Sequence, residues 1–200
     1  MSARIGLGLL LAIWLGGCAW WRPPLSTVDQ KELAWLKRLD HWQLKGRVGV
    51  RGEKGNWHGN LRWTYQEGQD RLVISGPFGQ GGVIIQVYPD WIRIEQADGQ
   101  TRVSDQPEEL LEEVLGVAVP LTALRYWVRG LPAPGQSEIE SGPDGRMRRL
   151  LQGGWQVEYH EYRAVGPYAL PARLSLSGPR GMHLKLIVDR WEVGVEPMRA

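Results

Sequence analysis

Polar and apolar residues alternate strictly over two long stretches of this chain. Leu44, Gly46, Val48 and Val50 interleave with Lys45, Arg47, Gly49 and Arg51, and Trp57, Gly59, Leu61, Trp63 and Tyr65 interleave with His58, Asn60, Arg62 and Thr64. A period of two marks strands with one buried and one solvated face, the habit of antiparallel sheets. Residues 52–55, bounded by glycines, join the two as a hairpin. The same reasoning predicts strands over 71–75, 83–88, 91–95 and 100–103, with turns at Pro89-Asp90 and Asp98-Gly99. Later strands are expected over 148–152, 155–160 (Trp155, Val157 and Tyr159 inward), 172–177 and 182–188, and no strong period follows Val193.

Helical spacing appears in three places. Leu33, Leu36 and Leu39, with Trp35 beside them, give an apolar face to residues 27–40, and Thr27 with Gln30 reads as a capping box. Asp105 and Glu108 read as a second box ahead of Leu110, Leu111, Val114 and Leu115, up to Gly116. Pro120 suits a first helical turn, Leu121, Leu124, Trp127 and Val128 share the face that follows, and Gly130 stops it. The order is a helix, about six strands, two helices and about four strands. This is one antiparallel sheet with a helical insertion, a mainly β α+β fold without a repeat or a second domain. A long sheet of alternating strands curls and leaves a concave apolar face, whose mouth or inside can bury the helices' stripes.

The first residues follow another pattern. Arg4 precedes an apolar run from Ile5 to Leu15, then Gly16, Gly17 and Cys18, the one cysteine of the chain. A charged start, a short apolar core and small residues before a cut describe a secretory signal, and the run falls short of the about 18 apolar residues that span a bilayer. A cysteine just after the cut is the bacterial lipobox pattern, and a lone thiol has no internal disulfide partner. Residues 1–17 are therefore expected to be removed and Cys18 to be triacylated, with palmitate-type chains. Residues 18–25 are then a tether, with Trp20 and Trp21 at headgroup level and Arg22-Pro23-Pro24 as a stiff spacer, and residues 26–200 form one domain. More than one acyl chain gives stable anchoring. Ala19, in place of a retaining aspartate, points to the outer membrane, with the domain facing the periplasm.

Composition narrows the function classes. The formal charge of +2 comes without a long basic or acidic block, which argues against a nucleic-acid partner. Eleven Trp stand against one Phe, and indoles suit surfaces apolar at one end and wet at the other. His41, His58, His160 and His183 lack metal-ligand spacing. There is no G-x-S-x-G elbow. Gly79-x-Gly81-Gly82 precedes a strand rather than the helix that would cradle phosphate. Glu108-Glu109 and Glu112-Glu113 fit the solvated face of their helix. No catalytic residue, metal or cofactor is expected. One feature remains: the lone Phe78, between Pro77 and Gly79 at a hairpin tip, suits contact with a membrane or a partner.

These residues resemble the LolB family, outer-membrane lipoprotein receptors of Gram-negative bacteria. The resemblance runs through Gly46-Arg47, Trp63, Gly76-Pro77-Phe78-Gly79, Leu115-Gly116 and Pro120. It continues through Leu124-x-x-Trp127-x-x-Gly130-Leu131-Pro132, Gly154-Trp155-x-Val157-x-Tyr159, Leu170-Pro171 and Trp191. It implies an unclosed antiparallel β-barrel of about 10–11 strands, with helices forming a lid over a hydrophobic cavity. It implies that acylated lipoprotein cargo is taken from the periplasmic carrier LolA by its acyl chains and inserted into the outer membrane, without ATP or cofactor. A monomer is expected. The family's protruding loop corresponds to Pro77, Phe78 and Gly79, with Phe78 where leucine is common. Gly81-Gly82 and the tail after Trp191 also depart from the family pattern. Inward Leu44, Val48, Leu61, Trp63, Leu72 and Ile74, with Leu124 and Trp127 from the helix, are the candidate cavity lining.

Three chains of about 15 methylenes, at about 0.8 kcal/mol each, gain roughly 36 kcal/mol on leaving water. Noncovalent affinities saturate near about −18 to −21 kcal/mol. A pocket thus shelters such chains incompletely, and transfer to a bilayer runs downhill. Two other readings stand beside this one: a structural outer-membrane lipoprotein acting as an envelope scaffold without lipid transfer, which needs no cavity, and a periplasmic hydrolase, which needs a carboxylate or serine whose loss abolishes activity.

Overall fold

The computed structural model describes residues 30–53, 55–76, 81–166 and 168–194. Cys18, the Thr27 capping box, the loop Pro77-Phe78-Gly79 and the last six residues lie outside them. The first helix, α1 (Gln30–Arg38), leads into β1 (His41–Gly52). Five more strands follow: β2 (Gly55–Gln66), β3 (Gln69–Ser75), β4 (Gly82–Val87), β5 (Ile92–Gln96) and β6 (Thr101–Ser104). The helices α2 (Pro107–Leu115) and α3 (Leu121–Trp127) interrupt the sheet. It resumes with β7 (Glu138–Ser141), β8 (Met147–Gln152), β9 (Trp155–Val165), β10 (Tyr168–Ser177) and β11 (His183–Val193).

All eleven strands form one antiparallel sheet in the order β6-β5-β4-β3-β2-β1-β11-β10-β9-β8-β7. The chain's first and last strands pair in the middle of the sheet, while β6 and β7, flanking the helical insertion, are its two free edges. The sheet is therefore an unclosed barrel, and the helices cover its concave side. Alternation decides the faces: β1 buries Trp42, Leu44, Val48 and Val50, and β9 buries Trp155, Val157 and Tyr159. Register shifts by one residue at Lys45/Gly46 against β11. A β-carbon on Gly46 would collide with the Ile187 carbonyl oxygen, so only glycine lets the two backbones approach at this bulge.

The structure corrects several sequence expectations. The Asp105/Glu108 capping box does not form: Gln106 is the N-cap, without a side-chain cap bond, and Ser104 Oγ instead accepts from the Gln106 amide at 2.9 Å. Proline at the first helical position of α2 needs no amide partner, which relieves the demand for a box. Pro120 is likewise the N-cap of α3, one position before its first turn. Trp91 precedes β5 and stacks on Tyr88 with ring centroids 3.9 Å apart, closing a turn rather than extending a strand. Strand β7 was not expected. All four of its residues are exposed, so it has no alternation to read.

Candidate functional site

The concave side of the sheet is not filled. Val48, Val50, Leu61, Trp63, Leu72 and Ile74 form one wall, and Leu176, Leu184 and Leu186 of β10 and β11 form the other. Leu111 and Leu115 of α2, Val117 and Val119 of the connection, and Leu121 and Leu124 of α3 make the roof. Among the described residues every side chain bordering the space is apolar, and it measures about 60 Å³. That is room for a few water molecules, far less than one fatty chain. Its lining offers such waters no polar partner.

The sequence-predicted lining residues divide. Val48, Leu61, Trp63, Leu72, Ile74 and Leu124 border the cavity. Leu44 is fully buried but away from it, registered between Trp63 and Trp191. Trp127 is buried too, and its indole donates to Gln152 Oε1 at 2.9 Å. The roof residues Val117 and Val119 went unforeseen. Their signal was present in the alternation of Val117-Ala118-Val119-Pro120, read only as a gap between helices.

Polar groups secure the frame around this space. Asp70, 3% exposed, accepts from the Trp63 indole at 2.9 Å and from Arg125 Nε at 3.0 Å, and a second Arg125 nitrogen pairs with it. Burial pushes the Asp70 carboxyl above its ordinary range, with the Arg125 guanidinium opposing the shift. Arg125 also lies over the Tyr65 ring, 4.6 Å from its centroid. Arg129 donates to the Leu36 and Leu39 carbonyls, both at 3.1 Å, tying the end of α1 to α3. Tyr159 donates its hydroxyl to the Trp127 carbonyl at 2.9 Å, and burial pushes that phenol well up. Nothing in sequence spacing marked Asp70 and Arg125 as partners, since 55 residues separate them.

Helix α2 is held by its rim. The Trp57 indole donates to the Leu115 carbonyl at 3.1 Å. Arg180, in the turn between β10 and β11, forks onto Glu112 at 2.7 and 2.9 Å, and Arg102 of β6 pairs with Glu113. Gly116 ends α2 in the left-handed conformation, φ 73°, which a glycine adopts without strain.

An open antiparallel sheet over an apolar space, roofed by helices, has known counterparts. Residues 40–191 match the family model for outer membrane lipoprotein LolB. An outer-membrane lipoprotein LolB from Nitrosococcus oceani is 35% identical over 199 residues, covering 96% of this chain and 98% of that protein. Another from Pseudomonas aeruginosa is 37% identical over 158 residues, covering 78% of this chain and 77% of that protein. The chain belongs to the LolB family. Like its relatives it is an outer-membrane lipoprotein, and its function is that of a lipoprotein receptor. The fold is also that of a LolA superfamily protein from Nitrosomonas europaea (TM-score 0.51, 10% identity, covering 83% of this chain and 94% of that one). Among the described residues no helix is long and apolar enough to cross a membrane.

Proposed function

We propose that this LolB-family receptor takes lipoproteins from the periplasmic carrier LolA by their acyl chains, shelters those chains under α2 and α3, and releases them into the outer membrane. The handover makes and breaks no covalent bond. Residues 1–17 are a signal removed on export, Cys18 carries the receptor's own acyl anchor, residues 18–25 are its tether, and residues 26–200 are the lipoprotein-binding domain. The loop Pro77-Phe78-Gly79 enters the bilayer during release.

One observation carries this reading: a space walled, among the described residues, by apolar side chains alone lies directly beneath two short helices. The space as it stands is too small for cargo, so loading requires the roof to lift. Lifting exposes Leu111 and Leu115 only as long as acyl chains are absent; arriving chains replace the lost apolar contacts. The scaffold alternative needs no such space and gains no support from it.

The test is a transfer assay with the acylated receptor in vesicles and LolA loaded with a lipoprotein. Cargo is expected to leave the carrier and appear in the vesicle bilayer. Leu124→Glu, which puts a charge into the cavity roof, abolishes acceptance. Phe78→Glu leaves acceptance intact and blocks release, so cargo accumulates on the receptor. Cargo that stays on the carrier with the unaltered receptor refutes the reading, and normal release by Phe78→Glu refutes the role of the loop.

A further inference from the structure

The convex side of the sheet is uneven in charge. On β2, β1 and β11, which lie side by side, the outward positions carry Arg62, Lys45, Arg47, Arg51, Lys185 and Arg190 against only Asp189 and Glu192. Register sharpens the imbalance. Lys45 stands opposite Arg62 on one side and opposite Arg190 on the other, and like charges in cross-strand pairs work against a sheet. Glu192 accepts from Lys45 at 2.9 Å and Asp189 from Arg47 at 3.0 Å. The Lys45 ammonium accordingly holds the Glu192 carboxyl below its ordinary range. Arg51, Arg62 and Lys185 are exposed and have no carboxylate at ion-pair distance among the described residues. Next to Arg62 the outward surface turns apolar, with Val73 of β3 paired to Ile84 of β4 and both half-buried.

The direction of this stripe matters. It runs along the strands, from Lys45, Arg62 and Arg190 near the start of β1 to Arg51 and Lys185 near its end. Helix α1 sits at the first of these ends, fixed there by Arg129 and by the Ala169 amide donating to Glu32 at 3.0 Å. Strand β3 runs toward the other end and closes at Ser75, level with Asn60 and Arg47. A molecule lying on its side presents the whole length of the stripe to one surface.

We propose that the receptor lies side-on upon the periplasmic leaflet, with the outer face of β2, β1 and β11 against anionic phospholipid headgroups. This rests on the anchoring and loop assignments proposed above and adds the orientation and the lipid class. Arginine and lysine meet phosphate by charge-assisted hydrogen bonds, arginine in a bidentate manner. A planar anionic surface also meets the charge of Arg62 beside Lys45, since Glu192 is shared between Lys45 and Arg190. Gly49, at the middle of the stripe and level with His58 and Lys185, adds no side chain to it, and a β-carbon there would meet nothing within 4 Å.

The experiment uses the full acylated chain in vesicles of three parts phosphatidylethanolamine to one part phosphatidylglycerol, and in vesicles of phosphatidylethanolamine alone. Cys18 is the chain's one cysteine, so Asn60→Cys offers a single free thiol for a fluorophore on the stripe, and Glu140→Cys on β7 offers a control at the sheet edge. Headgroup-quenching lipids are expected to quench the label at 60 and spare the label at 140. Quenching at 60 is lost without phosphatidylglycerol, at molar salt, where screening shortens to about 3 Å, and in R51Q/R62Q/K185Q. Equal quenching at both sites, or quenching indifferent to lipid charge and salt, overturns the proposal; the salt and lipid arms apply to the unaltered stripe, so they decide even if the triple variant misfolds. A receptor that floats with vesicles and transfers cargo while the label at 60 stays bright refutes the orientation alone. One that fails to float brings down the anchor assignment and the orientation together. Salt-sensitive protection of the label by carrier protein rather than by lipid overturns the choice of partner.

Discussion

The two helices that roof the cavity are held in opposite ways. Helix α3 is fastened from beneath, through Arg125 to Asp70, Arg129 to the end of α1, Tyr159 to the Trp127 carbonyl and Gln152 to the Trp127 indole. These bonds are buried or half-buried, where each broken one strands a desolvated partner. Helix α2 is fastened at its edge, by Arg180–Glu112 and Arg102–Glu113, whose side chains are a third to two-thirds exposed in most cases, and by one indole bond. Exposed ion pairs contribute about 0–1 kcal/mol each. The difference predicts that α2 yields before α3.

Substitutions sharpen this contrast, and the largest loss belongs to α3. Asp70→Ala leaves the Arg125 guanidinium without its carboxylate in a site where it is 15% exposed. Breaking such a pair from one side costs about 3 kcal/mol, to be read as a drop in the urea midpoint. An unchanged midpoint would mean that Arg125 finds water instead, and the buried frame would lose its main tie. Gln152→Leu is next. It strands the Trp127 indole and the Ala133 amide and carbonyl, for about 1–3 kcal/mol by the same measurement. Arg180→Ala should cost less than about 1 kcal/mol yet speed the uptake of a fluorescent fatty acid, because α2 is released while the frame stays. Slower uptake, or a stability loss equal to that of Asp70→Ala, would erase the distinction between the helices.

The smallest effect lies on the outer face. Glu192 is held below its ordinary value of 4.5, first by the hydrogen bond from Lys45. A lowered carboxyl contributes stability above its unfolded pKa, and that contribution is lost as pH falls through the folded value. Acid unfolding below about pH 4.5 should therefore begin slightly earlier in unaltered protein than its neutral-pH stability alone implies, and Lys45→Met should flatten that dependence.

Much of the architecture could be read directly from residue order. Strict alternation from Leu44 to Val50 and from Trp57 to Tyr65 named both strands and their inward faces, because one buried face leaves a period of two. The Trp155, Val157 and Tyr159 set was readable for the same reason. Strand β7 was not, since an edge strand with exposed Glu138 and Glu140 is shaped by the need to avoid pairing with other chains rather than by burial. The Asp105 box misled because Ser104 and Pro107 offered a local solution of equal quality. As for the site, inward positions could be named but not sorted. Whether Leu44 or Leu61 meets empty space depends on where the helices land, and the Asp70–Arg125 tie that helps place them joins residues far apart in the chain. Phe78 and Cys18, the two residues with the plainest sequence signals, lie outside the described residues.

The free edges at β6 and β7 have one more implication. A closed barrel has its girth fixed by strand number and stagger. This one is open, and among the described residues no strand ladder joins β6 to β7. It can widen by flexing at the seam, without breaking a single strand pair. The width of the cavity is then not fixed by the sheet alone, and a reach set by the roof rather than by the strands follows.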